Sequence, residues 1–188
     1  GEALSYYQQS LDISRQVGNR AGEGTTLNNI GLVYDNQGNY GEALSYYQQS
    51  LDISRQVGDR AGEGSTLNNI GFLYYIQEKY SEALRYYEEA LTIRREIGDR
   101  VNEGNILNNI GAAHVNSGQY EEALVALQQA FPITSELVPD SRSHERVQHW
   151  MKEALGGIRN SSIGDYQQQC QAVSQATGMA LAELCPAN

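Results

Sequence analysis

The chain repeats itself every forty residues. Written in rows of that length, the first three rows align without insertion or deletion, and the fourth, residues 121–160, follows the same register more loosely. Residues 1–30 and 41–70 differ at only two positions. A fixed period of this length predicts an array whose core is built by stacking neighbouring repeats rather than around one globular centre.

Each row carries the pattern of a helical hairpin. In residues 58–97, apolar side chains recur every three or four residues in two segments, the first ending near Gln77 and the next running from Tyr80 to Ile97. Gly58 can close one helix in the left-handed conformation, and Asp59 can cap the next. The sequence therefore predicts an all-α fold of antiparallel helix pairs.

Small residues return at the same place in every row. A glycine inside a helix costs about 1 kcal/mol relative to alanine, so its recurrence needs a close-packing reason. We expect these positions to let two helices approach each other closely. They are Gly31, Gly71 and Gly111 in the first helices, and Ala43, Ala83 and Ala123 in the second helices.

A family resemblance rests on eight positions. The pattern returns at 67–90 and 107–130, and its departures include His114 and Leu127. The eight positions are Leu27, Ile30, Gly31, Tyr34, Tyr40, Ala43, Tyr47 and Ser50. The pattern resembles the tetratricopeptide repeat (TPR), in a forty-residue form similar to that of Pins-type adaptors and kinesin light chains. The resemblance implies a right-handed superhelical solenoid whose first helices line a concave wall that holds another protein.

The rows also predict the domain organisation. Pro132 falls inside a predicted second helix and is expected to kink or stop it. The predicted segments are 1–18, the second helix of a truncated repeat; 19–58, 59–98 and 99–138, three TPRs, the last with the irregularity at Pro132; and 139–188, a degenerate repeat with a C-terminal capping helix.

The last helix is predicted to run from about 164 to 184 and to present one apolar stripe. If Cys170 and Cys185 both lie on it, they are about 22 Å apart at 1.5 Å per residue, beyond disulfide reach. We therefore expect two reduced, buried cysteines.

Composition narrows the choice of partners. A formal net charge of −10 repels nucleic acid over most of the surface, and no run of about twenty apolar residues could span a membrane. The predicted partner is a protein or peptide, with no nucleic acid and no membrane, and the predicted location is cytoplasmic.

No motif supports catalysis. His144 and His149 are five residues apart, which places them on different faces of a helix, and His114 is expected to be a packed core residue. Serine and cysteine lack a nearby histidine and acid. The sequence thus predicts no enzyme, no metal and no cofactor.

A ladder of asparagine pairs follows the first helices. An amide offers both donors and an acceptor, which match the backbone of an extended peptide. The predicted peptide-binding residues are Asn28, Asn68, Asn108, Asn29, Asn69, Asn109, Asn36, Phe72, Asn116 and Gln148.

Several alternatives stay open. One asparagine of each pair could instead bond to a neighbouring hairpin and stiffen the array. The arginine of each row, as in Arg20 and Arg60, could pair with a glutamate at the helix start rather than hold a ligand. At the level of function, the alternatives are a sensor arm of a larger signalling enzyme or ATPase, and self-association through the half-repeat at Gly1.

Overall fold

The computed structural model describes residues 2–139, 141–161 and 163–185. Within these ranges the regular structure is entirely helical. No helix among them is both long enough and apolar enough to cross a membrane. The helices are α1 Glu2–Gln16, α2 Arg20–Asn36, α3 Tyr40–Val57, α4 Arg60–Ile76, α5 Tyr80–Glu96, α6 Arg100–Asn116, α7 Tyr120–Leu137, α8 Arg142–Ser161, α9 Ile163–Thr177 and α10 Leu181–Leu184.

The helices form two compact units, residues 1–97 and 98–188. The first unit holds α1 and the pairs α2/α3 and α4/α5, and the second holds the pair α6/α7 followed by α8, α9 and α10. Repeated helix pairs are the fold class that the forty-residue period predicts, and that prediction is confirmed.

The turns between pairs contain the predicted glycine that ends one helix and the predicted residue that caps the next. Gly58 closes α3 in the left-handed conformation, with φ of 72°. The Asp59 side chain then accepts a hydrogen bond from the Gly62 backbone N–H at 2.9 Å. Asn19 caps α2 through Gly22 in the same way. The helix boundaries are thus set locally, because each cap satisfies a backbone donor that the first helical turn leaves unpaired.

The helix glycines lie where the two helices of a pair come closest. A Cβ on Gly71 would lie 2.7 Å from the Tyr87 ring of α5, and one on Gly31 would lie 2.7 Å from the Tyr47 ring of α3. Both tyrosines are fully buried. The predicted close-packing role of these glycines is confirmed.

The helix α7 does not stop at Pro132. It continues to Leu137 with the proline inside it. Pro132 is exposed, so its ring meets solvent rather than a neighbouring helix, while Phe131 and Ile133 on either side are buried. Packing of the buried side chains supports the helix across the missing backbone donor.

The prediction of a single C-terminal helix over 164–184 is wrong. The helix α9 ends at Thr177, and Gly178, with φ of 71°, turns the chain before α10. This turn returns Cys185 to α9, where it forms a disulfide with Cys170 across a Cα–Cα distance of 6.2 Å. The prediction of two reduced cysteines is therefore also wrong, because it assumed one uninterrupted helix.

Gly71→Ala is expected to lower the free energy of unfolding by about 1–3 kcal/mol, because the new methyl overlaps the Tyr87 ring. Gly41→Ala is the matched control, since its Cβ position is open. It is expected to leave stability unchanged or raise it by up to about 1 kcal/mol through helix propensity. Urea denaturation followed by circular dichroism measures both. An equal gain in stability for the two variants would contradict the close-packing role.

Removing the disulfide with Cys185→Ser is expected to lower the free energy of unfolding of the second unit by about 3 kcal/mol, the value for a closed loop of this size. The fluorescence of Trp150, the single tryptophan, reports the unfolding of that unit. Reductant should shift the wild type toward the variant and leave the variant unchanged. Two free thiols titrated in the folded, unreduced protein would rule out the disulfide.

Candidate peptide-binding face

In the first unit, the neighbouring helices α2 and α4 each present one row of side chains that are exposed or half-buried. Positions three, four, seven and eleven residues apart share one face of a helix. We call these two rows together the amide face. It consists of Thr25, Asn28, Asn29, Leu32 and Asn36 on α2, and Ser65, Asn68, Asn69, Phe72 and Ile76 on α4. None of these side chains carries a charge.

One pair of asparagines joins the two helices across the amide face. The Asn69 Nδ2 group donates to Asn28 Oδ1 at 3.0 Å, and the Thr66 hydroxyl donates to the same oxygen at 3.3 Å. Among the described residues, the Asn28 Nδ2 group and the Asn69 Oδ1 atom make no hydrogen bond with the protein. The pair therefore fixes its own orientation and still offers one donor group and one acceptor.

Apolar side chains flank this pair. Leu32 is 42% exposed, Phe72 is 44% exposed and Ile76 is 36% exposed. The Phe72 ring packs on the Tyr75 ring of the same helix, with 6.2 Å between centroids, which helps to hold it in place. The amide face thus combines polar groups suited to a peptide backbone with apolar side chains that are open to a partner.

In the second unit, an arginine of α8 forms hydrogen bonds with the corresponding asparagines. Arg146 Nη2 donates to Asn109 Oδ1 at 2.8 Å. With the Asn108 amide oriented to match its surroundings, its oxygen accepts from Arg146 Nε at 3.0 Å. Asn108 is 1% exposed. This differs from the prediction that Asn108 lines an open groove, because the α8 helix covers it.

The two other residues of the second unit that were predicted to bind peptide are Gln148 and Asn116, and they lie in different environments. Gln148 is half-buried, with its Nε2 atom 3.0 Å from His144 Nε2. Asn116 is exposed, and its Nδ2 group donates to the Ala112 carbonyl one turn earlier. Neither lies beside an open asparagine pair comparable to that of the first unit.

The periodic arginines belong to ion pairs within the repeats. The Glu23 carboxylate, almost fully buried, binds the Arg20 guanidinium and accepts a hydrogen bond from Arg15 Nε at 2.9 Å. Glu63 is held in the same way by Arg55 and Arg60. The predicted pairing of Arg20 and Arg60 with these glutamates is confirmed.

Sequence reasoning missed the second arginine that binds each of these glutamates. Arg15 and Arg55 occupy the same position in their rows and lie near the end of one helix, while the glutamate lies on the next helix. The signal was the recurrence of arginine at this position. The hydrogen bond from Arg15 is the largest influence on Glu23 and lowers the pKa of its carboxyl, with Arg20 acting in the same direction against the opposing effect of burial.

Sequence reasoning also missed a buried arginine at the edge of the amide face. Arg94 of α5 replaces the Ser54 of the preceding row and is almost fully buried. Its Nη2 group donates to the Ser65 hydroxyl at 2.6 Å. The break in the repeat at this position was the available signal. The hydrogen bond from Arg94 holds the Ser65 side chain, which belongs to the amide face.

The described side chains contain no group of three or more histidine, cysteine, aspartate or glutamate residues that could hold a metal. His114 is half-buried rather than part of the core, and its Nδ1 atom lies 2.9 Å from Gln119 Oε1. This differs from the prediction of a packed core histidine. The turn before α7 gives it a polar partner.

Comparison with known structures supports the fold. BtubC (BKLC) from P. vanneervenii is similar with a TM-score of 0.66, at 18% identity over 94% of this chain and 84% of that one. A putative kinesin light chain of Podosopora anserina, with nearly identical TPR-like repeats, gives 0.66 at 15% identity over 99% and 89%. Aspartyl phosphate phosphatase F of Bacillus subtilis gives 0.66 at 14% over 96% and 48%. At these identities the likeness shows the fold alone.

The helix pairs define an all-helical repeat protein. A family model described as tetratricopeptide repeat matches residues 1–56 and 62–136, most of the chain, whereas a comparison with curated proteins finds no match. The chain belongs to the tetratricopeptide repeat family. Repeats of this family act as protein-interaction scaffolds, and that general class of function applies here.

Glu23→Gln is expected to lower the free energy of unfolding by about 1–3 kcal/mol at pH 7, because two charge-assisted hydrogen bonds are weakened. The pKa of Glu23 is lowered from its ordinary 4.5, so its contribution is present above that pH and is lost as the pH falls through the folded-state pKa. The stability gap between wild type and variant should therefore close in acid.

Urea denaturation at pH 7, 5, 4 and 3 measures this gap. Glu42→Gln, at an exposed position of α3, is the control and is expected to change stability by less than about 0.5 kcal/mol. A gap for Glu23→Gln that stays constant down to pH 3 would contradict the role of the ionised carboxylate.

Proposed function

We propose that the chain binds an extended peptide segment of a protein partner on the amide face of its first unit. The observation that carries this proposal is the Asn28–Asn69 pair, which is fixed by its own hydrogen bond beside the exposed Leu32 and Phe72 side chains. Ordered amides next to open apolar side chains suit a ligand that supplies both backbone polar groups and apolar side chains.

The hydrogen-bonding capacity of the pair fits a peptide backbone. An extended backbone presents N–H and C=O groups alternately, and the pair offers one acceptor at Asn69 and one donor group at Asn28. Because the Asn69-to-Asn28 bond already holds both side chains, the pair needs little ordering when it binds. Pre-organisation of this kind improves affinity by reducing the entropy lost on association.

The neighbouring side chains give the peptide its expected character. Leu32, Phe72 and Ile76 favour apolar side chains, and the uncharged face offers no ion-pair partner of its own. We therefore expect a segment with at least two apolar residues and no requirement for basic ones.

On this proposal the chain is a binding module without catalysis, cofactor or metal, and its partner is a protein rather than nucleic acid or a membrane. Self-association through α1 stays a prediction, and the exposed Tyr6 and Ile13 side chains are the ones it would cover. The Cys170–Cys185 disulfide favours an oxidising compartment over the predicted cytoplasmic location.

Affinity purification followed by mass spectrometry identifies the partner, and synthetic peptides from it then give the affinity by fluorescence anisotropy. Asn69→Ala and Phe72→Ala are each expected to weaken binding about tenfold, since each removes a contact worth roughly 1.4 kcal/mol. Circular dichroism verifies that the variants fold.

Two variants outside the amide face are the controls. Asn39→Ala removes an exposed asparagine that makes no side-chain cap, and Val125→Ala removes an exposed apolar side chain of α7. Both should bind as the wild type does. If Asn69→Ala and Phe72→Ala also bind as the wild type does, the amide face is not the binding site.

A further inference from the structure

A cleft in the second unit lies between the C-terminal half of α8 and the junction of α6 and α7. Its volume is about 510 Å³. We call it the α8 cleft. The residues that matter for its chemistry are Tyr120 of α7 and Lys152, Glu153, Gly156, Arg159 and Asn160 of α8. None of them belongs to the amide face or to the helix-pair contacts described above.

Gly156 and Gly157 line this cleft inside α8, which continues to Ser161. Packing explains only one of them. A Cβ on Gly157 would overlap the Tyr120 ring, so that position excludes any side chain. A Cβ on Gly156 would meet no atom within 4 Å. Gly156 thus lowers helix propensity by about 1 kcal/mol with no contact in the protein that requires it.

Because Gly156 has no side chain, the cleft is open at this position. Lys152, Gly156 and Arg159 are four and three residues apart and share one side of α8. A side chain at position 156 would stand between the two cations. Its absence leaves room for a group that contacts both of them together.

The two cations have no acidic partner within the described part of the chain. Arg20, Arg55 and Arg60 all bind glutamates, as expected in a protein of net charge −10. No carboxylate among the described side chains forms an ion pair with Lys152 or Arg159. Arg159 instead lies over the Tyr166 ring, 5.7 Å from its centroid, a contact that leaves its donors available.

We propose that the α8 cleft binds a phosphoryl group. The terminal oxygens of such a group can accept from Lys152 and Arg159 at once. Its charge of about −1.5 to −2 near pH 7 also matches two cations better than the single charge of a carboxylate does. The Asn160 amide and the Tyr120 hydroxyl add neutral donors at the rim. The cleft is larger than a phosphate ion, so the carrier, a phosphorylated side chain or a phosphorylated small molecule, enters with it. Glu153 favours a carrier with a donor or positive charge beside the phosphoryl group.

Isothermal titration of the full chain at low ionic strength tests this assignment with three probes: inorganic phosphate, O-phosphoserine and serine. Saturable binding is expected for the two phosphoryl probes and none for serine. Tighter binding of O-phosphoserine indicates that the carrier contributes, and equal binding indicates that the phosphate ion alone is recognised.

Lys152→Met, which keeps most of the aliphatic stem, is expected to weaken phosphoryl binding about tenfold. Gly156→Ala is expected to stabilise the second unit in urea denaturation and yet weaken binding, a combination that a purely structural glycine would not give. Gly41→Ala, a helix glycine with open space in the first unit, is the matched control and should bind as the wild type does.

Absence of saturable binding by both phosphoryl probes at concentrations up to tens of millimolar would overturn the proposal. So would binding that Lys152→Met and Gly156→Ala both leave unchanged. Because these residues lie outside the amide face, the test is independent of peptide binding there.

Discussion

The close contact between a helix glycine and the ring of its partner helix is the constraint on which each helix pair of the first unit depends. Gly71 brings α4 against Tyr87, and Gly31 brings α2 against Tyr47. Because the side chain that would separate the helices is missing, one side of each first helix is buried against its partner. The opposite side is left for the neighbouring repeat and for solvent, and the amide face lies there.

The same asparagine positions have different environments in the two units. In the first unit, Asn28 and Asn69 bond to each other and keep unused polar groups at the surface. In the second unit, Arg146 of α8 binds both Asn108 and Asn109, and Asn108 is buried. The same Leu-Asn-Asn-Ile-Gly segment thus lies on an open surface in the first unit and on a closed one in the second, where α8 covers it.

Sequence predicted the features that depend on local signals. Gly58 and Asp59 define helix ends through caps, and Gly71 reveals close packing through its recurrence. Features that depend on departures from the repeat were missed. The turn at Gly178 and the Arg146 contacts involve residues of the degenerate segment 139–188, where no preceding row indicates which side chains will meet. The asparagine positions could be read from the sequence, but neither the Asn69-to-Asn28 bond nor the burial of Asn108 could be.

The side-chain amides of asparagine report the central claim most directly. After selective ¹⁵N labelling of asparagine, addition of the captured peptide is predicted to shift the side-chain resonances of Asn28, Asn29 and Asn69. Those of Asn108 should stay in place, because Arg146 already occupies that amide. Shifts at Asn108 and Asn109 with none at Asn28 and Asn69 would contradict the account.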